Sequence, residues 1–261
     1  MSEPVLILTM KWGTLYSADD VNRLARQVRR NLARPHRFIC FTDDAVGFEP
    51  GIEAFPLPEL GLPPGNGDTR WRKLALFQPD LFGLQGMALF LDLDLVVVRD
   101  LSPFFELPGT FIGIRDDDLF RPKPLRKLRP TRDRFLHMVA NTSVFRFTVG
   151  GFGSILQGYL AAPGEIAAQY EHEQQFVSAE LDRKGQLSYW PKGWCVSFKN
   201  DCVPRHLLSY VSDPSLPETA RIVVFAGSPK MDDVFSGKGG KWYRRIGKID
   251  WLEQAWQGKS E

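Results

Sequence analysis

The stretch that decides the fold runs Leu89-Phe90-Leu91-Asp92-Leu93-Asp94-Leu95-Val96-Val97-Val98, an apolar segment interrupted by two aspartates. Apolar residues on both faces of an extended chain are typical of a buried strand, so we predict one strand over residues 87–98. Side chains two positions apart on a strand share a face, so Asp92 and Asp94 are expected to converge. Two adjacent carboxylates need a cation between them or a shared proton, and oxygen ligands suit Mg²⁺ or Mn²⁺. The alternative is that one aspartate caps a turn while the other pairs with an arginine.

Outward from this stretch, strand and helix patterns alternate. Residues 5–9 form an apolar run, a helix with one apolar face follows Ser17, and residues 37–42 form a second strand pattern. Strand, helix and strand at this spacing predict a βαβ unit with a parallel pair. Further strands are predicted at 52–56, 111–114, 143–147 and 221–225, and helices at 70–77, 152–160, 171–181 and within 241–256. The pattern predicts an α/β chain with one domain over 1–261, made of a nucleotide-binding half (1–115) and an acceptor-side half (116–261).

Composition narrows the classes of function. The chain has 261 residues, 43% of them apolar and 25% charged, with a formal net charge of +2. These values are typical of globular proteins, and near-neutrality argues against a nucleic-acid binder. No run reaches the roughly 18 apolar residues of a membrane span, and no secretory signal is predicted. Three cysteines cannot all pair within one chain, which favours reduced thiols and a cytoplasmic location.

A family resemblance follows from these motifs. The triplet Asp92-Leu93-Asp94, with its apolar lead-in and the following Asp100-Leu101, resembles the DxD strand of GT-A fold glycosyltransferases. It is most similar to glycosyltransferase family 8, which includes glycogenin and lipopolysaccharide galactosyltransferases. The segments 11–14 and 37–44 resemble an uncharacterised bacterial subgroup, and the resemblance covers residues 5–230.

The resemblance implies a fold and an activity. The fold would be a GT-A type, Rossmann-like nucleotide-binding sheet with helices on both faces and an attached C-terminal region. The activity would be transfer of a sugar from a nucleotide-diphosphate donor, in particular a UDP-sugar, to a glycan or lipid-linked acceptor, with retention of configuration. Asp92 and Asp94 would hold Mn²⁺ or Mg²⁺.

Several residues are candidates for binding the donor. By resemblance, Lys73 would contact the nucleotide-sugar, Asn141 would hold the donor sugar and Lys230 would bind phosphate. Trp12 and Tyr16, in the loop after the first strand, are candidates for stacking on the base. The alternatives are a solvated helix face for Lys73, a turn for Asn141 and core packing for Trp12.

The proposed reaction centre rests on two further segments. Glu173-Gln174-Gln175 resembles the family's Asp-Gln-Asp helix start, which implies that Glu173 binds a sugar hydroxyl and that Gln174 lies near the reacting carbon. Asp116, after the strand at 111–114, would be the sugar-binding aspartate. The alternative for Glu173 is a purely electrostatic role at a helix N-terminus. If the product were inverted, Asp116 or Glu173 would be candidate bases.

One family feature is missing. The family carries a metal-binding histidine on its last strand, where this chain has Val224 or Ala226. The missing ligand suggests a rival function, a non-catalytic nucleotide-sugar-binding protein. A nucleotidyltransferase is disfavoured because the loop 11–14 holds one glycine rather than a glycine-rich phosphate loop.

Two basic regions predict where an acceptor or a membrane docks. Residues 121–134 carry seven basic side chains and one acidic one, and the tail 241–256 combines tryptophans with cations. The first is a candidate lid for an anionic glycan or a lipid phosphate, and the second for peripheral contact with the inner membrane face. The alternatives are a solvated loop and a packed C-terminal helix.

Overall fold

The structure is a computed structural model that describes residues 3–61, 69–119, 139–236, 240, 244–247 and 249–257. Its strands are β1 (Val5–Lys11), β2 (His36–Thr42), β3 (Ile52–Phe55), β4 (Met87–Leu91), β5 (Leu95–Val97), β6 (Phe111–Arg115), β7 (Ala140–Thr148), β8 (Leu187–Tyr189), β9 (Cys195–Ser197) and β10 (Ile222–Val224). Its α-helices are α1 (Ala18–Asn31), α2 (Asp116–Leu119), α3 (Gly153–Ala161), α4 (Pro163–Gln169), α5 (Glu173–Arg183), α6 (Met231–Phe235) and α7 (Asp250–Gln257). Short 3₁₀ helices span Thr69–Phe77, Ser102–Phe105 and His206–Tyr210, and Phe198–Cys202 forms one π-helical turn.

A seven-stranded mixed sheet forms the centre, in the order β3-β2-β1-β4-β7-β6-β8. The predicted βαβ unit is confirmed: β1 and β2 pair in parallel, from Val5 opposite His36 to Lys11 opposite Thr42. Helix α1 begins at a capping box, in which the backbone N–H of Ser17 donates to Asp20 Oδ2 at 2.7 Å. β4 adds to the other side of β1 in parallel, and β7 then pairs with β4 in the antiparallel sense.

The decisive stretch does not form the continuous strand that its sequence predicts. β4 ends at Leu91 in the seven-stranded sheet, and β5 begins at Leu95 in a second sheet of order β5-β10-β9. Asp92 and Asp94 therefore lie on a bend between two sheets, and strand alternation does not orient them. The prediction was wrong because each short strand is buried in its own sheet, which leaves the apolar pattern uninterrupted.

Helices cover both faces of the large sheet, as the fold class predicts. Along β1, Val5 and Ile7 pack with the apolar face of α1, while Leu6 and Leu8 pack with α3 and α5 on the opposite face. The three-stranded sheet has its own apolar cluster, in which the rings of Phe198 and Phe225 stack at 4.5 Å. The result is a layered α/β molecule with the second sheet attached at one end.

The described part of the tail is a packed helix. The guanidinium of Arg23 lies 4.0 Å from the centre of the Trp256 ring, and Arg30 donates to the carbonyl of Ala255 at 3.0 Å. These contacts agree with the alternative interpretation of the tail as a packed C-terminal helix. Within the described residues, no helix is both long and apolar enough to cross a membrane. The basic stretch 121–134, and residues 241–243 and 248 of the tail, lie outside the described residues.

Candidate active site

One edge of the large sheet gathers most of the predicted site residues. The carboxyl ends of β1, β2, β4 and β6 meet there with the amino end of antiparallel β7. The chain leaves β1 towards β2 and β3 and returns to β4 on the other side of β1. A crevice at such a switch point is where open α/β sheets bind ligands. Trp12, Asp92, Asp116 and Asn141 each follow or begin a strand at this edge.

The backbone of the bend is tied to both sheets. The N–H of Asp92 donates to the carbonyl of Ser143 on β7 at 2.9 Å. The carbonyl of Asp94 accepts from the N–H of Phe225, just after β10, at 2.9 Å. The two carboxylates are therefore held at the junction of the sheets, and the end of β10 lies directly beside them.

Lys73 is bound to the first aspartate of the pair. It lies on the 3₁₀ helix Thr69–Phe77, and its Nζ is 2.8 Å from Asp92 Oδ2 and 3.0 Å from the carbonyl oxygen of Thr142. Burial opposes its charge, but the carboxylates of Asp92, Glu173 and Asp94 outweigh burial and raise the pKa of Lys73. Lys73 is thus a fixed ammonium within the site, which excludes the solvated helix face as its setting. Its contact with a nucleotide stays a prediction.

Asp94 carries the strongest evidence for a cation. Its Oδ1 is buried and has no hydrogen-bond partner among the described residues. Burial, and then the negative charge of Asp92, raise the pKa of Asp94 to about 6, while the positive charges of Lys73 and Lys230 oppose this. A buried carboxylate oxygen without a partner calls for a ligand, and beside a second carboxylate it suits a hard divalent ion.

The donor set for such an ion consists of two carboxylates. Within the described residues, no group of three His, Cys, Asp or Glu side chains is arranged to hold a metal. Val224 is buried in the core and Ala226 is partly buried against it, so the strand beside the bend supplies no third side chain. The residues present fit Mg²⁺ or Mn²⁺ as a two-carboxylate site, completed by water or a diphosphate, because Mg²⁺ usually keeps several waters.

Glu173 belongs to the same cluster. It lies in the first turn of α5, is buried, and accepts a hydrogen bond from the Thr142 hydroxyl to its Oε1 at 2.7 Å. Since Lys73 donates to the carbonyl of Thr142, this residue joins both charged groups. Gln174 is half-buried beside Glu173 at the start of α5. The start of α5 and the DxD bend, 81 positions apart in the chain, are therefore linked through Thr142 and Lys73.

Two more predicted residues face the carboxylates. Tyr16 is half-buried, and burial, followed by the charges of Asp94 and Asp92, raises the pKa of its phenol. Lys230 is exposed, precedes α6, and its positive charge acts on Asp94. A phenol and an ammonium are therefore close enough to the two carboxylates to interact with them electrostatically.

The remaining predicted residues have local partners. The ring of Trp12 lies 5.3 Å from the guanidinium carbon of Arg72. Asn141 Oδ1 accepts from the N–H of Ser143 at 3.0 Å. Asp116 begins α2, is buried, and donates its N–H to the carbonyl of Val139 at 2.9 Å. The structure places these three residues at the same edge of the sheet, and their contacts with a sugar or a base stay predictions.

Sequence reasoning gave no role to two residues of this edge. Thr142 connects Lys73 to Glu173, and the only signal was a polar run inside a buried strand. Asp43 accepts the N–H of Gly13 at 2.8 Å and so fixes the loop that carries Trp12. Such a pairing between two loops has no local pattern in the sequence.

Comparison with known proteins supports the fold. An active-site mutant of LgtC matches with a TM-score of 0.60 at 13% identity, over 91% of each chain. The galactosyltransferase LgtC in complex with donor and acceptor sugar analogs matches with a TM-score of 0.57 at 15% identity, over 86% of this chain and 88% of that one. The glycosyltransferase GlyE of Streptococcus pneumoniae matches with a TM-score of 0.55 at 15% identity, over 88% of this chain and 56% of that one.

No family model and no curated protein sequence matches this chain. The likeness is therefore one of fold, and it confirms the GT-A fold of the glycosyltransferases that the sequence predicted.

Proposed function

We propose that this protein is a glycosyltransferase that moves a sugar from a nucleotide-diphosphate donor, specifically a UDP-sugar, to a glycan or lipid-linked acceptor. The observation that carries the proposal is the partly buried cluster of Asp92, Asp94, Lys73 and Glu173 at the switch point of the sheet. The solved structures described above, LgtC and GlyE, are glycosyltransferases, and one LgtC structure holds donor and acceptor sugar analogs. A ligand crevice in that position is where the fold binds nucleotides.

The cluster is suited to holding a diphosphate leaving group. Lys73 is kept charged and immobile, and Lys230 places a second cation on the exposed side of Asp94. Fixed positive groups stabilise negative charge that develops on a departing phosphate without having to reorganise. We propose that Tyr16 and Trp12 bind the base and that Asn141 holds the donor sugar.

We propose that Glu173, Gln174 and Asp116 form the reaction centre. Glu173 accepts the Thr142 hydroxyl through Oε1, and we propose that its second carboxylate oxygen binds a sugar hydroxyl. Gln174 would lie near the reacting carbon and Asp116 would bind the sugar. Transfer with retention needs no protein base in this proposal, because a donor phosphate oxygen takes the proton from the acceptor hydroxyl.

Asp92 and Asp94 would hold Mn²⁺ or Mg²⁺ when the ion is bound. The ion would supply a Lewis acid at the diphosphate. Asp94 contributes Oδ1, which has no hydrogen-bond partner within the described part of the chain, whereas Asp92 Oδ2 is bound by Lys73. We also propose a cytoplasmic location, which agrees with three free, buried cysteines.

The test is nucleotide release from a panel of UDP-, GDP- and CMP-sugars, measured with Mn²⁺ and with EDTA. The Asp94→Asn variant is expected to lose release and any Mn²⁺-dependent rise in Tm. Asp100→Asn is the matched control, because the carboxylate of this nearby aspartate caps the turn at Ser102, whose N–H and hydroxyl it accepts at 2.9 and 2.8 Å. Equal activity of Asp94→Asn and wild type would refute the assignment.

A second candidate is a nucleotide-sugar-binding protein without turnover. The absence of a third metal ligand among the described residues favours it. Saturable binding of a nucleotide-sugar without nucleotide release, with every acceptor tried, would establish this candidate over the enzyme.

A further inference from the structure

An exposed apolar surface lies on the second half of the chain, away from the DxD bend in sequence. We call it the ridge and define it as Leu207, Leu208, Tyr210 and Val211, which are 67%, 61%, 50% and 80% exposed. The other exposed large apolar side chains of the described residues are single and scattered in sequence. Isolated exposed apolar residues are normal, but a contiguous group of this kind marks an interaction surface.

The ridge is held in one orientation. It is carried by the 3₁₀ helix His206–Tyr210, in which Ser209 is buried and its Oγ accepts the N–H of Arg245 at 2.8 Å. The N–H of Ser212 donates to the carbonyl of Leu208 at 3.0 Å, and the Trp251 indole donates to the carbonyl of Pro214 at 3.1 Å. The apolar side chains therefore point outward from an anchored segment.

Cations flank the ridge. Lys199 and Arg205 precede it and Arg245 lies beside it, and all three are exposed. Of the two acidic residues in this segment, Asp201 accepts the N–H of Ser197 at 2.8 Å and Asp213 follows the ridge. Outward apolar side chains beside Lys and Arg are the combination that inserts into the interface of an anionic bilayer.

A cavity is lined by residues that precede and follow the ridge in the chain. Its volume is about 520 Å³, and its lining extends from Arg205 and Ser215 to Asp118 of α2. The Asn200 amide on its wall donates to the carbonyl of Leu119 at 2.7 Å, which fixes α2 against it. The cavity therefore reaches the same short helix as Asp116, a residue proposed to bind sugar.

We propose that the ridge is the surface by which this protein docks on a bilayer containing anionic phospholipid, with the cavity beside the lipid headgroups. The proposal rests on the lipid-linked acceptor of the proposed function. It places the membrane contact at residues 199–211 instead of the tail 241–256, whose described helix is packed against α1.

The experiment is co-sedimentation of the full chain with vesicles, either phosphatidylcholine alone or 30 mol% phosphatidylglycerol. We expect wild type to bind the anionic vesicles, and the triple variant Leu207→Ser, Leu208→Ser, Val211→Ser to bind about ten-fold more weakly. Val46→Ser is the matched control, because Val46 is 83% exposed in a turn of the first half. Arg205→Gln is expected to weaken binding to the anionic vesicles by about five-fold.

Each outcome decides the proposal. No wild-type binding to anionic vesicles, or equal binding by wild type and the triple variant, would overturn it. So would a wild-type dimer in sedimentation velocity that the triple variant loses, since the ridge would then face a second copy. Nucleotide release from the donor without vesicles is measured in parallel. Its absence in wild type refutes the proposed function alone, while its retention in a triple variant that no longer binds vesicles supports docking.

Discussion

Lys73 makes a stringent test of how the site is held together. Its ammonium is 2.8 Å from Asp92 Oδ2 and also donates to the Thr142 carbonyl. Lys73→Met keeps the length and the apolar stem of the side chain and removes only the charged group. The variant leaves Asp92 without its cation beside a second carboxylate, Asp94.

The magnitude follows from burial. The side chains of Lys73 and Asp92 are 18% and 25% exposed. Exposed pairs contribute about 0–1 kcal/mol, whereas breaking a fully buried pair costs about 3–5 kcal/mol, so this half-enclosed pair should cost about 2 kcal/mol. For a chain of this size, that corresponds to a fall in Tm of about 4–8 °C.

The assay is thermal unfolding in EDTA of wild type, Lys73→Met, Asp92→Asn and the double variant. The double variant should be more stable than Lys73→Met, because it carries no unpaired charge at position 92. The affinity for Mn²⁺ should follow a different order from the stability in EDTA. Freed from Lys73, both oxygens of Asp92 become available to the ion, so the variant should bind Mn²⁺ more tightly than wild type, as measured by the free-ion electron paramagnetic resonance signal.

Two results would refute this reasoning. If Lys73→Met melts at the wild-type temperature in EDTA, the ion pair does not stabilise the bend. If the variant binds Mn²⁺ more weakly than wild type, Lys73 supports the ion instead of competing with it for Asp92.

Three further predictions concern the fold. The Arg146 guanidinium is buried and donates to the carbonyls of Phe104, Leu107 and Gly109. Arg146→Met should therefore lower the free energy of unfolding by about 3 kcal/mol in urea titrations. The control is Arg183→Ala at an exposed position, which should lower it by less than about 0.5 kcal/mol. Burial raises the pKa of all three thiols, to about 12 for Cys40 and Cys202, so Ellman's reagent should label none in native protein at pH 8 and three after denaturation. Ser17→Ala should cost about 1 kcal/mol by the same titration through loss of the α1 cap, and no change would contradict the capping box.

The first half of the fold could be read from periodicity. Apolar residues in α1 recur about every 3.6 positions, which places them on one face of the helix, and a short apolar run lies on either side of α1 in the chain. The elements β1, α1 and β2 and the parallel pairing of the two strands follow from that pattern. The cost of burying charge also singled out Asp92 and Asp94. What failed was the shape of that segment, because Leu93 and Leu95 continue the apolar pattern across the bend.

The contacts between the site residues could not be predicted from the periodicity of the sequence. Lys73 and Asp92 are 19 positions apart, and Thr142 and Glu173 are 31 apart, so their pairing is set by how the sheet and α5 pack. The local sequence around a carboxylate does not indicate which lysine the carboxylate will contact. The resemblance brought Lys73 and Glu173 to notice, and the structure added that Thr142 connects them.

The bend at residues 92–94 has a consequence for engineering. Its main chain is held by two backbone hydrogen bonds, from the N–H of Asp92 to Ser143 and from the N–H of Phe225 to the carbonyl of Asp94. Neither hydrogen bond uses a side chain. Exchanging Asp94 for asparagine leaves both main-chain hydrogen bonds in place, whereas exchanging Asp92 also breaks its ion pair with Lys73. Chemistry can therefore be tested apart from folding at position 94. Proline at position 92 has the opposite effect, because it removes the N–H that donates to Ser143 while the carboxylate of Asp94 remains.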